Sequence, residues 1–145
     1  MVGIGEIQPV ERLEVVGNIK GFNYILGRWV AGSSIAANDV VYLTHDNSGN
    51  TQWKLADADF GSFVNMKIPA VGVAVKAASI SGTISVSIAG KAIVNKGAET
   101  WTAGSLGMPV YVSTSSGVAT VIAPTAAGAI VFKIGNMSTI AGEII

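Results

Sequence analysis

Short apolar runs separated by turn clusters dominate the sequence from about Val30 onward. Residues 83–88 alternate polar and apolar side chains without a break, which is the pattern of a half-buried strand. No stretch combines a 3.6-residue apolar period with helix caps. Residues 56–64 are the one helical candidate, and the Asp and Gly residues within them favour a loop. The pattern therefore predicts an all-β fold, a small β-sandwich or barrel.

One hairpin stands out. Residues 40–43 are β-branched and aromatic, residues 45–50 form a concentrated turn signal, and residues 51–55 can return as the partner strand. Further strands are predicted by the same criteria over residues 70–75, 92–94, 109–112, 118–122 and 129–134.

The two halves of this region resemble each other. Val41-Tyr-Leu followed by a Ser-Gly turn matches Val110-Tyr-Val followed by another, and the strand around Gly72 matches the strand around Gly135. The match suggests an internal duplication in which each half is a hairpin plus a third strand. Chance similarity in so Val- and Gly-rich a chain is the alternative.

Residues 1–29 differ in kind, because glycines interrupt any regular element there. We interpret them as an extended N-terminal arm, and residues 30–145 as one β-rich domain. The alternative is a first strand packed on the chain's own sheet. The apolar residues expected to bind a partner are Ile4, Ile7, Val10, Leu13, Val15 and Trp29.

Composition argues against most chemistry. There is no cysteine and a single histidine, His45, so no catalytic triad, two-histidine metal site or thiolate site is expected. Asp57 and Asp59 are not part of an Asp-x-Asp-x-Asp-Gly calcium-binding loop, so we interpret them as polar residues of a surface loop. No catalytic residue, metal or cofactor is therefore predicted, and we expect the chain not to be an enzyme.

Charge and hydropathy narrow the partners. Nine basic residues balance nine acidic ones, which gives no electrostatic footprint for nucleic acid or an anionic membrane. The longest apolar stretches fall far below the roughly 20 residues of a membrane-spanning helix, and residues 1–6 lack the features of a secretory signal. Only 12% of residues are charged while 50% are hydrophobic, so much of the surface must be apolar or neutral. A protein that meets partners over a large area fits this composition.

The three tryptophans, Trp29, Trp53 and Trp101, are expected to fill the core beneath loops. An exposed tryptophan would instead be an interface anchor, or would stack on sugars in a carbohydrate-binding β-module.

The order of several strand segments resembles the small capsid-decoration, or cement, proteins of tailed bacteriophages. The matching segments are Ala37 to Leu43, Trp53 to Ala58, Ala70 to Ala74, Gly82 to Gly90 and Thr102 to Val112, followed by Ser116-Gly117 and Ile134-Gly135. Each is only a strand with its turn, so their order carries the resemblance, which covers roughly residues 30–140.

The resemblance implies a β-tulip-like fold and a homotrimer on the outside of the viral head. It implies the major capsid protein as partner, assembly in the host cytoplasm, and head stabilisation by clamping neighbouring capsid subunits. The N-terminal arm would reach onto the lattice or onto a neighbouring subunit. A tail-tube or fibre-base module of a virion is the alternative assembly, and an electron micrograph of the pure protein would distinguish rings or filaments from small oligomers.

Overall fold

The computed structural model describes residues 24–59, 71–102, 106–140 and 142–145. These residues contain no helix and are arranged in ten strands, which confirms the predicted all-β fold with a small barrel. The strands are β1 (Tyr24–Ala31), β2 (Val40–His45), β3 (Thr51–Leu55), β4 (Val71–Ala74), β5 (Thr83–Ala89), β6 (Ala92–Ile93), β7 (Pro109–Val112), β8 (Ala119–Thr120), β9 (Lys133–Asn136) and β10 (Glu143–Ile144). No helix in these ranges has the length and hydropathy needed to cross a membrane.

The first five strands close into a barrel in the order β1-β3-β2-β4-β5. The predicted hairpin of β2 and β3 is confirmed, with His45 paired to Thr51 at its end. Asp46 shapes the turn, because its Oδ1 accepts hydrogen bonds of 2.8 Å from the backbone N–H groups of both Ser48 and Asn50. Gly49 supplies a φ of +84° there, a conformation that favours glycine.

The last five strands repeat this arrangement. β7 lies between β8 and β9, as β2 lies between β3 and β4. Backbone hydrogen bonds between Asn136 and Ile145 connect β9 to β10, β10 pairs with β6, and Ala119 N–H donates to the Asn95 carbonyl beside β6. The strands form two sheets, β8-β7-β9 and β10-β6, and these backbone hydrogen bonds connect the sheets so that neighbouring strands follow the order β6-β8-β7-β9-β10. We refer to residues 24–89 and 92–145 as the first and second repeats.

Register supports the predicted duplication in detail. Val41 pairs with Gly72, and Val110 pairs with Gly135. A Cβ on Gly72 would lie 2.7 Å from the carbonyl oxygen of a residue on β5, and a Cβ on Gly135 would lie 2.9 Å from that of Ile145, which follows β10. The two glycines thus allow the same close approach of two strands in each repeat, which explains why both strands carry a glycine.

The entry to the central strand is also repeated. Asn38 N–H donates to the Ala74 carbonyl at 2.8 Å, and Gly107 N–H donates to the Met137 carbonyl at 2.9 Å. Asn38 and Gly107 both have a positive φ, +73° and +78°. Asparagine and glycine are the residues that adopt this conformation most readily, so equivalent positions satisfy the same backbone requirement.

The repeats share a core. Val41, Trp53, Ile84 and Val86 belong to the cluster within the first barrel. The adjacent Val40 points to the other side of β2 and packs in a second cluster. This cluster draws residues from both repeats, among them Ala56, Val73, Val94, Trp101, Val110, Val112, Met137 and Ile144. Both faces of β2 are thus buried, which accounts for its consecutive valines.

A polar junction joins the repeats beside this core. Asp39 is buried, and its carboxylate accepts hydrogen bonds from Ala36 N–H at 2.8 Å and from Asn95 Nδ2 at 2.9 Å. Val40 N–H donates to the Gly117 carbonyl, and Gly117 N–H donates to the Ala56 carbonyl, both at 2.8 Å. The side-chain and backbone bonds together fix the orientation of one repeat on the other.

Several predicted boundaries change: the strand predicted over residues 118–122 is shortened to β8 (Ala119–Thr120), and the largest changes concern β9 and β1. The strand predicted over residues 129–134 is instead β9 (Lys133–Asn136), because Ile130 N–H donates to the Ala58 carbonyl of the first repeat and the segment before Lys133 is held there. β1 begins at Tyr24 and crosses the predicted limit between arm and domain at residues 29 and 30, so the last residues assigned to the arm lie in the barrel. Residues 56–59 are neither helix nor strand.

Candidate binding surface

A groove between the repeats is lined mainly by apolar residues. β4 and β5 line it from the first repeat, and β9 and β10 line it from the second. Its volume is about 210 Å³, with Val71, Phe132 and Ile134 among the lining residues. That exceeds the roughly 150 Å³ of an engineered apolar cavity that takes up benzene. Lys133 is the one charged residue among the described residues that line the groove.

A β-bulge places Ile134 in the groove. Val110 pairs with Gly135 and Tyr111 pairs with Lys133, so Ile134 is an extra residue on β9 with no partner on β7. Bulges re-aim side chains at sheet edges and beside functional sites. The first repeat has no bulge at the corresponding pairs between β2 and β4, so the two walls of the groove differ.

Exposed apolar side chains form the second feature of the surface. Eleven large hydrophobic residues are exposed within the described ranges. The most exposed are Ile122 at 69%, Ile80 at 67% and Ile145 at 62%. Single exposed hydrophobics are ordinary on soluble proteins, but here they occur on a chain in which only 12% of the residues are charged.

The tryptophans lie where a core role places them. Trp53 is fully buried and Trp101 is 4% exposed, so neither has a face free for a sugar, and the carbohydrate alternative loses two of its three candidates. Trp29 is half-buried, packs against the core of the first barrel, and has its ring centroid 6.3 Å from that of Trp53. The Trp53 indole N–H finds no acceptor among the described residues.

Glu99 organises a polar cluster that sequence reasoning did not single out. Its carboxylate accepts hydrogen bonds from Trp101 Nε1 at 2.8 Å, from the Thr120 hydroxyl and from Val121 N–H at 3.2 Å. These bonds tie the segment after β6 to β8. The spacing of Glu99 and Trp101 could have suggested the hydrogen bond between them, but it could not have predicted the contacts of Glu99 with Thr120 and Val121.

The polar residues considered for chemistry lie apart. His45 is exposed at the end of the first hairpin. The Asp57 carboxylate accepts from Asp59 N–H at 2.9 Å and from the Ser116 hydroxyl at 2.7 Å, so it shapes a loop and links the repeats. Within the described ranges no group of three or more histidine or acidic side chains is arranged to hold a metal ion.

Hydrogen bonding lowers the pKa of two carboxyl groups, those of Asp46 and Glu143. The Asn50 side chain and backbone N–H groups hold the pKa of Asp46 below its usual value of 3.8. The Ser138 hydroxyl, helped by the charge of Lys91, lowers the pKa of Glu143 from 4.5. Burial raises the pKa of Tyr42. The two acids close a turn and a strand end, so their shifts have structural causes.

Most residues predicted to bind a partner lie outside the described part of the chain. These are Ile4, Ile7, Val10, Leu13 and Val15, and their role stays a prediction. Trp29 is the exception, and its ring is partly committed to the first barrel.

Comparison with known proteins identifies no family. No protein-family model matches the chain, and neither a curated protein nor a solved structure matches it. Function must therefore be argued from the surface.

Proposed function

We propose that the chain is a virion structural protein that binds the outside of a viral capsid and stabilises the head. In this proposal its partner is the major capsid protein, it acts as a homotrimer of β-tulip type, and it works by binding without catalysis. The observation that carries the proposal is the combination of an all-β domain with many exposed apolar side chains and few charges.

The resemblance to capsid-decoration proteins supports the same function. The segments that carry it fall largely on β2, β3, β4, β5 and β7 and their turns. They therefore correspond to the framework of the domain. This support concerns sequence order and strand placement, and it is independent of the exposed surface.

The proposed contact with the capsid is broad and weakly charged. Exposed residues such as Ile80, Ile122 and Val131 would supply apolar contacts, and the predicted arm residues Ile4 and Ile7 would add to them. Three subunits acting together gain avidity, so contacts that are individually weak give stable binding.

Sedimentation of virus particles tests the proposal directly. Particles from the source culture are separated on a density gradient, and mass spectrometry counts this chain relative to the major capsid protein. Co-migration with heads at a comparable copy number supports decoration. A few tens of copies that follow tails would favour the tail-tube or fibre-base alternative, and absence from particles would refute a virion role.

Capsid binding can then be mapped with variants that leave the fold intact. Ile80→Asp, Ile122→Asp and Val131→Asp change side chains that are each more than half exposed, so unfolding free energies should change by about 0.5 kcal/mol or less. At least one should weaken binding to capsids that lack the protein, whereas His45→Asn at the hairpin end serves as a polar surface control. Full binding by all three variants would contradict an apolar contact through these residues.

Removal of residues 1–20 tests the arm. We expect weaker capsid binding with an unchanged circular dichroism spectrum. Unchanged binding would refute a role for the arm in attachment.

A further inference from the structure

The groove between the repeats opens where β4 and β5 stop pairing. Their ladder ends at the pair of Val73 and Ser87, although β4 extends to Val71 and β5 extends to Ala89. The strand residues beyond the last pair all line the groove. The first repeat therefore contributes a wall in which two strands have parted.

The second repeat closes the groove from the other side with apolar side chains. Phe132, just before β9, and Ile134 of β9 both line it. Both side chains also pack against the core that the repeats share, which holds this wall in place. The volume of about 210 Å³ suits a body somewhat larger than benzene, which binds in an engineered cavity of roughly 150 Å³.

The polar side chains of the groove are both hydrogen-bond donors. Its described lining contains the Ser87 hydroxyl and the Lys133 ammonium and no carboxylate side chain. Ser87 is 5% exposed and pairs with Val73 of the shared core, so both side chains lie on the same face of the sheet. The Ser87 hydroxyl donates to the Ala89 carbonyl at 3.4 Å, which is longer than the ordinary distance of about 2.5–3.0 Å. A ligand oxygen could therefore offer it a better acceptor.

Lys133 carries a positive charge that the described part of the chain leaves uncompensated. The one ion pair among the described residues joins Lys91 to Glu143, and the Lys133 ammonium has neither an ion-pair nor a hydrogen-bond partner there. Ligand sites combine a mainly apolar lining with a few polar groups that fix the orientation of the ligand. A lysine beside an apolar concavity favours a ligand with an apolar body and a negative charge.

We propose that the groove binds a small apolar monocarboxylate, with its hydrocarbon body between the repeats and its carboxylate paired with Lys133. A carboxylate accepts hydrogen bonds from both an ammonium and a hydroxyl, and it carries the single charge that one lysine balances. This binding site is separate from the proposed contact with a capsid and does not rest on it.

Octanoate is the probe, with octan-1-ol and octylamine as neutral and cationic molecules of the same chain length. An NMR titration of the intact chain gives a dissociation constant and identifies the residues whose signals shift. We expect saturable binding of octanoate that shifts the signals of Ile88, Phe132 and Ile134. Octan-1-ol should bind about two- to fivefold more weakly, which is the range of one exposed ion pair, and octylamine should bind more weakly still.

A matched pair of lysine variants tests the charge. Lys133→Gln should weaken octanoate binding about two- to fivefold and leave octan-1-ol binding unchanged. Lys76→Gln changes an exposed lysine that does not line the groove, so it should alter neither. Equal effects of the two substitutions would refute pairing of the carboxylate with Lys133.

A matched pair of isoleucine variants tests the apolar body. Ile88→Asp should weaken octanoate binding at least about tenfold, because it places a carboxylate in the apolar groove. Ile88 is 39% exposed, so the variant should remain folded, which circular dichroism checks. Ile80→Asp adds the same charge at an exposed isoleucine outside the groove and should leave binding unchanged.

Several outcomes would overturn the proposal. These are no saturation below about 10 mM octanoate, equal affinities for octanoate and octylamine, and equal effects of Ile88→Asp and Ile80→Asp. Tighter binding of acetyl-Leu-Leu than of octanoate would identify the carboxyl end of a peptide as the occupant instead. Octanoate binding that weakens as the protein concentration rises would identify a second copy of the chain.

Discussion

Gly117 and Gly49 provide a matched test of how the repeats are joined. Each glycine lies in the hairpin turn that follows the central strand of its repeat, and their φ values are +76° and +84°. Their surroundings differ. A Cβ on Gly49 would meet nothing within 4 Å, whereas a Cβ on Gly117 would lie 2.9 Å from Leu55 Cδ2 and 3.2 Å from Asp39 Cγ.

The expected costs follow from this difference. Alanine in a left-handed conformation costs roughly 1–2 kcal/mol, so Gly49→Ala should lower the unfolding free energy by that amount. Gly117→Ala incurs the same cost and also crowds the junction around Asp39, for which overpacking adds about 1–3 kcal/mol. The difference between the two variants therefore isolates the junction.

Urea unfolding, followed by tryptophan fluorescence, measures both variants. Trp53 and Trp101 are buried in the first and second repeats respectively, and the shared core should make them report one transition. For a slope of about 2 kcal/mol per M, an extra 2 kcal/mol lowers the midpoint of Gly117→Ala by about 1 M relative to Gly49→Ala. Equal midpoints would refute the argument that Gly117 is required by contact between the repeats.

Three further predictions concern stability. Gly72→Ala and Gly135→Ala should each lower the unfolding free energy by about 1–3 kcal/mol, because the added Cβ would press on a backbone carbonyl of the neighbouring chain segment. The two variants should therefore show similar decreases in Tm when unfolding is followed by circular dichroism. A large decrease in only one variant would contradict the equivalence of the two glycines. The hydrogen bond from Ser138 to the Glu143 carboxylate should stabilise the fold above pH 4.5, and this stability should be lost as the pH falls through the lowered pKa of Glu143. Glu143→Gln should remove this contribution, so the urea midpoints of variant and parent should differ at pH 7 and converge as the pH is lowered to 3. Asp39→Asn should cost about 1–3 kcal/mol in the same urea assay, since one amide N–H would face a donor; a neutral result would show that the junction tolerates it.

The sequence predicted the fold class and the strands with strong local signals. β2, β3 and β5 have β-branched residues, alternation or a concentrated turn, and each lies where it was predicted. β9 was misplaced because its start depends on a bond from Ile130 to the other repeat, and no local pattern encodes that contact. The duplication could be detected from Gly72 and Gly135, since a close strand approach requires glycine at both.

The groove could not be predicted from sequence. It depends on how the repeats are packed and on the bulge at Ile134, and both are consequences of long-range pairing. Trp53 and Trp101 were predicted correctly as core residues, because large aromatic side chains gain the most free energy from burial. The arm residues, by contrast, were selected only because they are apolar. Without a predicted pairing partner, that property does not indicate where in the fold a residue lies.

Covalent linkage of the repeats has a consequence that a dimer of identical chains could not share. In a symmetric dimer every interface contact occurs twice, so a groove on the axis must look the same from both ends. Here β4 and β5 line the groove from one side and β9 and β10 from the other, and only β9 carries the bulge at Ile134, so the unlike walls give the groove a polarity. A ligand that binds in the groove should therefore do so in one orientation only. Either wall can also change through evolution without altering the other.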